Sequence, residues 1–503
     1  MIKIFFVMKT YAIYTFFLVL GCLSLNSCQK FEDLQKDPAA VYTPAPKLIM
    51  TSILMRAHDA PWSEDHRHNQ YMTQNEAYYS GQTYGWTTGS YDNHYNILRD
   101  VYRMEKEAIQ TGDRGGIYLT MAKFFKAYFY YRATSMFGEI PMSEAMQGES
   151  NNNFSPKYNT QEEIFAQILT WLDEANAELS GNTSGGNSLE GDFFFNGNLN
   201  KWQKTVNSFK LRVLVSLSKR ANDAPALRVK ERFAELLNNP AKYPLILTND
   251  DNFQLLYNSI NPYPLWPADG IIIKRDIRNT LGATYVNILR NTKDPRLMIQ
   301  ALPASGITAD PANPFSVYQG GSTGDLQSTL LRQAGDGKLS MINFDYWLSS
   351  PSGIPSVQLG AAEVHFALAE GINRGWATGD AAAHFQSGIR TSMSFYGVNS
   401  DKTEAFLKAN PYVGNTAAGL DQILTQKYVA FFENSGKQAY FEQRRTGIPV
   451  FSVGPANANN NEIPKRWAYP TTEYSTNEVN LKESLQRQFK GSDTQNDIMW
   501  IIK

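Results

Sequence analysis

Apolar side chains recur at every third or fourth position in several long stretches of this chain, which is the spacing of one buried helix face. The clearest stretch, 117–137, begins after Gly116 and ends before Gly138, as glycine-bounded helices do. Its apolar stripe contains Leu119, Ala122, Phe125, Phe129 and Ala133. Together with the preceding stretch 93–110, it predicts a helical hairpin closed by a glycine-rich turn.

The same spacing predicts further helices along the chain. One begins with Thr160 as N-cap and Glu163 three residues later, a capping-box pattern, and continues to about Leu179. The others cover 47–58, 202–221, 227–238, 276–290, 355–371, 380–396, 419–435 and 437–445. Long helices in antiparallel pairs with short turns predict an all-α fold built from tetratricopeptide-like helix pairs.

Several polar, proline-rich or glycine-rich segments lack a helical pattern. They are 60–92, 181–198, most of 240–355, and the tail from Pro449 onwards. Long loops in a compact fold usually carry function, so we expect these irregular loops to form a ligand-binding face. We expect a single α-helical domain over residues 47–503.

The N-terminus has the pattern of a secretion signal. Lys3 and Lys9 are its only charges, and the stretch 11–25 is almost wholly apolar. About 15 apolar residues are too few to cross a bilayer comfortably but suit the core of a signal peptide. We therefore predict that residues 1–27 are a signal peptide, with Met8 as an alternative start to Met1.

The residues after this apolar core resemble a bacterial lipobox. In Leu25-Asn26-Ser27-Cys28 a small residue directly precedes a cysteine, which predicts that the Cys28 thiol is acylated. Cys22 is a competing position. Two or more acyl chains anchor a protein stably without spanning the membrane, and residues 28–46 would then form a tether.

Composition and charge exclude several classes of protein. A hydrophobic content of 42% excludes a disordered chain, and a net charge of −1 predicts no nucleic-acid partner. Both cysteines precede residue 29, which excludes a disulfide scaffold and a cysteine-ligated metal site in the remainder. His66 and His68 do not share a helix face, and we expect neither a metal nor a cofactor.

The segment 62–95 contains several tyrosines and tryptophans but no phenylalanine. These rings keep a polar edge, so they suit partly exposed platforms that stack on the apolar face of a sugar. The amide and carboxylate side chains between these rings could form hydrogen bonds with the hydroxyl groups at the edge of the sugar. The predicted ligand-binding rings here are Trp62, Tyr79, Tyr84 and Trp86.

Two further aromatic clusters lie in the long loop. Tyr263 and Trp266 form one with Tyr257, and Trp347 forms the other with Tyr346. We predict Tyr263, Trp266 and Trp347 as ligand contacts. The alternatives are that such rings pack the loops onto the helices, or that they face a protein partner.

Five segments, in this order, resemble the SusD/RagB family of nutrient-binding outer-membrane lipoproteins. They are 122–141, ending in Phe137-Gly138-Glu139-Ile140-Pro141; 201–212; 363–370; 426–449, containing Glu442-Gln443-Arg444-Arg445; and 466–474, beginning Arg466-Trp467-Ala468-Tyr469-Pro470. Each segment alone is weak evidence for the family, whereas the five segments in this order over residues 28–503 are specific evidence for it.

The resemblance implies a fold of tetratricopeptide-like pairs and a lipid-anchored, outer-membrane, cell-surface location. It also implies a SusC-like TonB-dependent transporter as partner, on which the protein acts as a lid, and no catalytic residues. The ligand it implies is usually an oligosaccharide and less often a peptide. We expect Arg212, Arg444 and Arg445 to pair with Glu363, Glu370 or Glu442 as structural ion pairs, because guanidinium forks suit buried carboxylates.

The lipobox, the aromatic loops and the family resemblance together imply a surface lipoprotein that captures a nutrient. A helical surface glycoside hydrolase and a purely structural partner of the transporter are the other hypotheses. Neither the choice between glycan and peptide nor the glycan linkage follows from the sequence.

Overall fold

Helices form most of the part of the chain that this computed structural model describes, residues 44–74, 81–113, 116–183, 187–266 and 279–503. The helices are α1 (Pro46–Ala57), α2 (Glu64–His68), α3 (Asp92–Thr111), α4 (Ile117–Phe137), α5 (Gly148–Asn151), α6 (Gln161–Asn182), α7 (Leu199–Ser216), α8 (Val229–Asn238), α9 (Ala283–Thr292), α10 (Arg296–Gln300), α11 (Gln327–Gly335), α12 (Phe344–Trp347), α13 (Ala361–Asn373), α14 (Ala381–Phe395), α15 (Ser400–Ala409), α16 (Ala417–Ala430), α17 (Gln438–Thr446), α18 (Glu473–Thr476) and α19 (Glu478–Phe489). The strands are β1 (Met72–Gln74), β2 (Ile140–Pro141), β3 (Tyr158–Asn159), β4 (Phe253–Leu255), β5 (Asn279–Leu281) and β6 (Ser356–Leu359).

Antiparallel helix pairs build the scaffold. Helix α4 packs between α3 and α6, α6 packs on α7, and α13 packs against α14 and α16. Short antiparallel ladders tie the connecting loops together, since β1 pairs with β5, β2 with β3 and β4 with β6. The predicted all-α fold with tetratricopeptide-like pairs is confirmed.

Local signals place two of the helix ends as predicted. Thr160 accepts a hydrogen bond from the Glu163 amide at 3.2 Å, and the Glu163 carboxylate accepts one from the Thr160 amide at 2.9 Å. This capping box satisfies two N–H groups that the first helical turn would leave without partners. Helix α3 ends at Gly112, whose φ of 79° lies in the left-handed region that favours glycine.

Aromatic rings fill the core between α4 and α7. Trp202 is fully buried and lies against Phe124, Phe125 and Phe253 with ring centroids 5.5–5.9 Å apart. Its indole N–H donates to an Asp192 carboxylate oxygen at 2.8 Å. A buried tryptophan is stable here because its polar edge has a partner.

Two of the three predicted arginines form buried ion pairs. Arg212 donates twice to Glu363 at 2.6 Å, and Arg445 lies between Glu370 and Glu442. Arg444 was expected to pair with a carboxylate, but its guanidinium donates to the carbonyls of Lys465 and Ser135 instead. The rings of Tyr440 and Phe441 lie within 5 Å of that guanidinium carbon.

The structure corrects several predicted elements. The first residues of the predicted helix 355–371 form β6, and α13 begins only at Ala361, because a short apolar run fits a buried strand as well as a helix. Helix α9 begins at Ala283 instead of 276. The tail predicted as irregular contains α19, whose buried stripe is narrow and contains Leu481, Ser484 and Leu485.

The N-terminal predictions lie outside the described residues. This applies to the signal peptide 1–27, to Cys28 and to most of the tether. Within the ranges that are described, none of the helices is long and apolar enough to span a bilayer.

Candidate ligand-binding site

A cavity of about 550 Å³ opens between α1, α2, the start of α3, α4 and α17, and we call it the central cavity. Its lining is mainly polar. The residues that line it include Arg56, Asp59, Glu64, Asp65, His68, Ser90, Asp92, His94, Tyr128, Arg132, Arg212, Lys437, Gln438, Phe441 and Trp467. This volume lies within the usual range of small-ligand sites, about 300–1,000 Å³.

Ion pairs hold the charged groups of the central cavity in place. Arg132 on α4 donates to both carboxylate oxygens of Asp59, at 3.0 and 2.5 Å. Lys437 pairs with Asp65 on α2. Burial opposes ionisation of Asp65, but Lys437 and the nearby imidazoles outweigh it and lower its pKa to about 2.

The charges of the lining balance. The basic residues are Arg56, Arg132, Arg212 and Lys437, and the acidic residues are Asp59, Glu64, Asp65 and Asp92. Four formal charges of each sign leave the lining with no net charge. The ionic groups can still donate to and accept from hydroxyl groups, because a paired arginine or carboxylate has further hydrogen-bonding positions.

Two neutral histidines contribute to the wall. Burial lowers the pKa of His68 and that of His94 to about 3, with smaller contributions from nearby cations. Among the described residues, the Nδ1 atom of each imidazole finds no hydrogen-bond partner. Buried polar atoms are normally hydrogen-bonded, so these two Nδ1 atoms are exceptions in the wall of the cavity.

Trp467 and Phe441 supply aromatic surface to the central cavity. The Trp467 indole stacks on that of Trp86 with centroids 5.0 Å apart and planes 12° apart. The His68 ring lies 4.5 Å from the Trp86 ring on the same side of the cavity. Trp86 is half-buried. Through the stack it supports the lining residue Trp467.

Tyr84, predicted as an exposed platform, is a core residue. Only 1% of it is exposed, and its hydroxyl donates to the His68 carbonyl at 2.9 Å. The prediction failed because the polar tip of a tyrosine can be satisfied by a backbone carbonyl as well as by water. Tyr84 therefore holds the α2 segment behind the cavity and offers no face to a ligand.

The other predicted rings meet in a second cluster, away from the lining of the central cavity. Trp62 contacts Trp347 edge to face at 5.0 Å, and Tyr263 lies nearby, packed on Tyr257 at 5.1 Å. Tyr263 and Trp347 are each 1% exposed, and the Trp347 indole donates to the Gln300 carbonyl at 3.0 Å. The expectation of exposed ring faces is therefore wrong for these two residues.

Trp62 and Trp266 keep part of their surface exposed to solvent. Both are half-buried, and the Trp266 amide donates to the Tyr263 carbonyl at 3.0 Å in a turn. Tyr79 lies outside the described residues. Of the predicted rings, Trp62, Trp86 and Trp266 thus remain candidates for ligand contact, and only Trp86 adjoins the central cavity.

Sequence reasoning missed the polar residues of the cavity. Asp59, Arg132 and Lys437 are far apart in the chain and no motif joins them. Trp467 stood in the last segment of the family resemblance but was not singled out as a ligand contact. Helical spacing offered one signal, because Arg132 follows Tyr128 by one turn of α4. In the structure Arg132 donates to the Tyr128 hydroxyl at 3.1 Å.

Comparisons with known proteins agree on one group. The family model described as "Starch-binding associating with outer membrane", SusD-like, matches residues 34–470. A SusD homologue from Bacteroides fragilis is 30% identical, with a TM-score of 0.82 over 92% of this chain and 100% of the other. A second homologue from that species is also 30% identical, with a TM-score of 0.78 over 92% and 99% of the chains.

A chitin-binding SusD homologue from Flavobacterium johnsoniae shares the fold at 20% identity. Its TM-score is 0.73 over 91% of this chain and 98% of the other. No curated protein matches the chain.

Proposed function

Since this chain belongs to the SusD-like family of outer-membrane-associated binding proteins, we propose that it captures an oligosaccharide at the cell surface and delivers it to a SusC-like TonB-dependent transporter. A lipid on Cys28 would anchor it to the outer membrane. Delivery would follow from movement of the protein as a lid on the transporter. A peptide ligand is the alternative within the same family.

The central cavity is the observation that carries this proposal. A sugar presents an apolar C–H face and a rim of hydroxyl groups. Phe441 and Trp467 offer aromatic surface, while Arg132, Lys437 and the neutral His68 offer donors and acceptors. A ligand of this kind needs many hydrogen bonds and little charge, which matches the balanced lining.

Charge balance favours a neutral glycan over a peptide. A peptide carries formal charges at its termini and often on its side chains, and a buried charge requires an opposite partner. In the central cavity Arg132 already pairs with Asp59, and Lys437 with Asp65. A charged ligand would therefore find these opposite charges already engaged with each other.

The same pairing supports binding without hydrolysis. A glycoside hydrolase needs one protonated and one ionised carboxyl group on either side of the scissile bond. Asp65, with its pKa lowered to about 2, is ionised at neutral pH and would not serve as the general acid. Together with the family match, this favours ligand capture as the role of the cavity.

A binding assay on the full chain tests the proposal. Calorimetric titration with neutral oligosaccharides, acidic oligosaccharides and short peptides should give heat only with a neutral oligosaccharide. The Trp467→Ala variant should bind more weakly, and Trp171→Ala, a half-buried tryptophan stacked on Tyr130 outside the cavity, should not. Chromatography of the mixture should recover the oligosaccharide intact. Binding of peptides alone, or release of shorter sugars, would contradict the proposal.

A further inference from the structure

Two histidines meet across the α13–α14 hairpin, outside the central cavity. The Nδ1 atoms of His365 on α13 and His384 on α14 lie 3.2 Å apart. The rings are inclined by 35°. Neither residue has a role in the proposed capture of a ligand.

A backbone carbonyl fixes the tautomer of His365. Its Nε2 atom lies 3.2 Å from the carbonyl oxygen of Leu247, which can only accept a hydrogen bond. The proton of the neutral imidazole is therefore on Nε2, and Nδ1 presents a lone pair that accepts a hydrogen bond from the His384 Nδ1–H when no metal is bound. Metal-binding histidines are oriented in this way, with the other ring nitrogen donating to a carbonyl or carboxylate.

The separation of the two nitrogens matches a shared metal ion. Bonds of about 2.0–2.1 Å in a tetrahedron place two nitrogen ligands about 3.3 Å apart. We propose that His365 and His384 form a binding site for a divalent transition-metal ion of the kind imidazole prefers, such as Zn²⁺ or Cu²⁺.

Solvent would complete the coordination sphere. Across the described ranges, no three His, Cys, Asp or Glu side chains are grouped to hold a metal, so the site has two protein ligands and open positions. His384 is half-buried, which gives an ion access from outside. A bound ion would link α13 to α14 and stabilise the folded state as its concentration rises above the dissociation constant.

Direct titration tests the site. The full chain, free of any histidine tag and with the Cys22 and Cys28 thiols alkylated, is treated with a chelator and titrated with Zn²⁺. One ion should bind per chain and raise the melting temperature. His384→Ala should weaken binding at least about tenfold. His58→Ala, at the end of α1, should leave binding unchanged and serves as the matched control.

Spectroscopy gives a second readout that does not depend on the fold of a variant. The electron paramagnetic resonance spectrum of the Cu²⁺-loaded chain should show coupling to two imidazole nitrogens, and to one in His384→Gln. Absence of Zn²⁺ binding, or equal binding by His384→Ala, would show that the pair is only a hydrogen bond between two histidines. Coupling to fewer than two nitrogens in the unmodified chain would overturn the proposal as well.

Discussion

Trp86 and Trp467 stack nearly parallel, with 5.0 Å between ring centroids and 12° between ring planes. They are 381 positions apart in the sequence and meet beside the central cavity. Because Trp86 lies behind a lining residue, it affects the cavity through the ring it supports.

The stack predicts the effect of Trp86→Ala. Removing the supporting ring should weaken oligosaccharide binding by about 0.5–1.5 kcal/mol, the usual contribution of an aromatic pair. Trp467→Ala should weaken binding more, and the double variant should lose less than the sum, because both act on one surface. Calorimetry on the three variants measures this, and fully additive losses would show that Trp86 contacts the ligand independently.

Trp347→Ala should reduce stability without changing the cavity. The indole is buried and its N–H is bonded to Gln300, so its loss should cost about 3–5 kcal/mol in the free energy of unfolding. Urea unfolding followed by circular dichroism measures this cost. The half-buried Trp266→Ala should cost far less, and a loss of ligand binding without unfolding in either variant would show that the second cluster contacts the ligand.

Asp59→Asn should change the charge preference of the central cavity. The substitution leaves the Arg132 guanidinium without its carboxylate partner, so the lining gains one net positive charge. We expect measurable affinity for an acidic oligosaccharide that the unmodified chain does not bind. Asp223→Asn, which removes the exposed partner of Arg220, is the control. Equal affinities of the two variants for the acidic oligosaccharide would show that the ligand binds outside the central cavity.

Glu433 should make stability depend on pH. Burial raises its pKa to about 8, against smaller opposing effects of the Trp62 amide and Arg67. The folded chain therefore keeps a proton that the unfolded chain releases above about pH 4.5. The stability contributed by this group is fully present below that pH and is lost as pH rises to about 8.

Glu433→Gln should flatten this profile, because the amide is neutral at every pH. The measurement is the free energy of unfolding in urea at pH 5 and at pH 8, compared with the exposed control Glu462→Gln. The carboxyl of Glu433 lies 3.4 Å from the buried His66 imidazole, which is neutral because burial lowers its pKa to about 4. An unchanged slope in Glu433→Gln would show that another group carries the pH dependence.

Cys28→Ala should release the protein from the membrane fraction of the cells that produce it, because a protein without acyl chains has no stable anchor. Fractionation followed by immunoblotting measures the distribution. Cys22→Ala should leave the protein membrane-bound. Retention of Cys28→Ala on the membrane would assign the anchor to Cys22 or to the apolar segment.

Much of the scaffold follows from the sequence because helix formation is local. The helix over 117–137 and the capping box at Thr160 each depend on residue type and local spacing. The ordered segments also identified the family. Short apolar runs were ambiguous, and so β6 was predicted as the start of a helix.

The site depends on contacts between distant parts of the chain, which only the tertiary structure decides. Tyrosine and tryptophan were predicted to be exposed because they carry a polar edge, yet Tyr84 and Trp347 satisfy that edge on backbone carbonyls in the interior. Residue type reports that a ring needs a hydrogen-bond partner, and the fold determines whether that partner is protein or solvent. For the same reason the pairing of Asp59 with Arg132, and the stack of Trp86 on Trp467, appear only when the helices are packed.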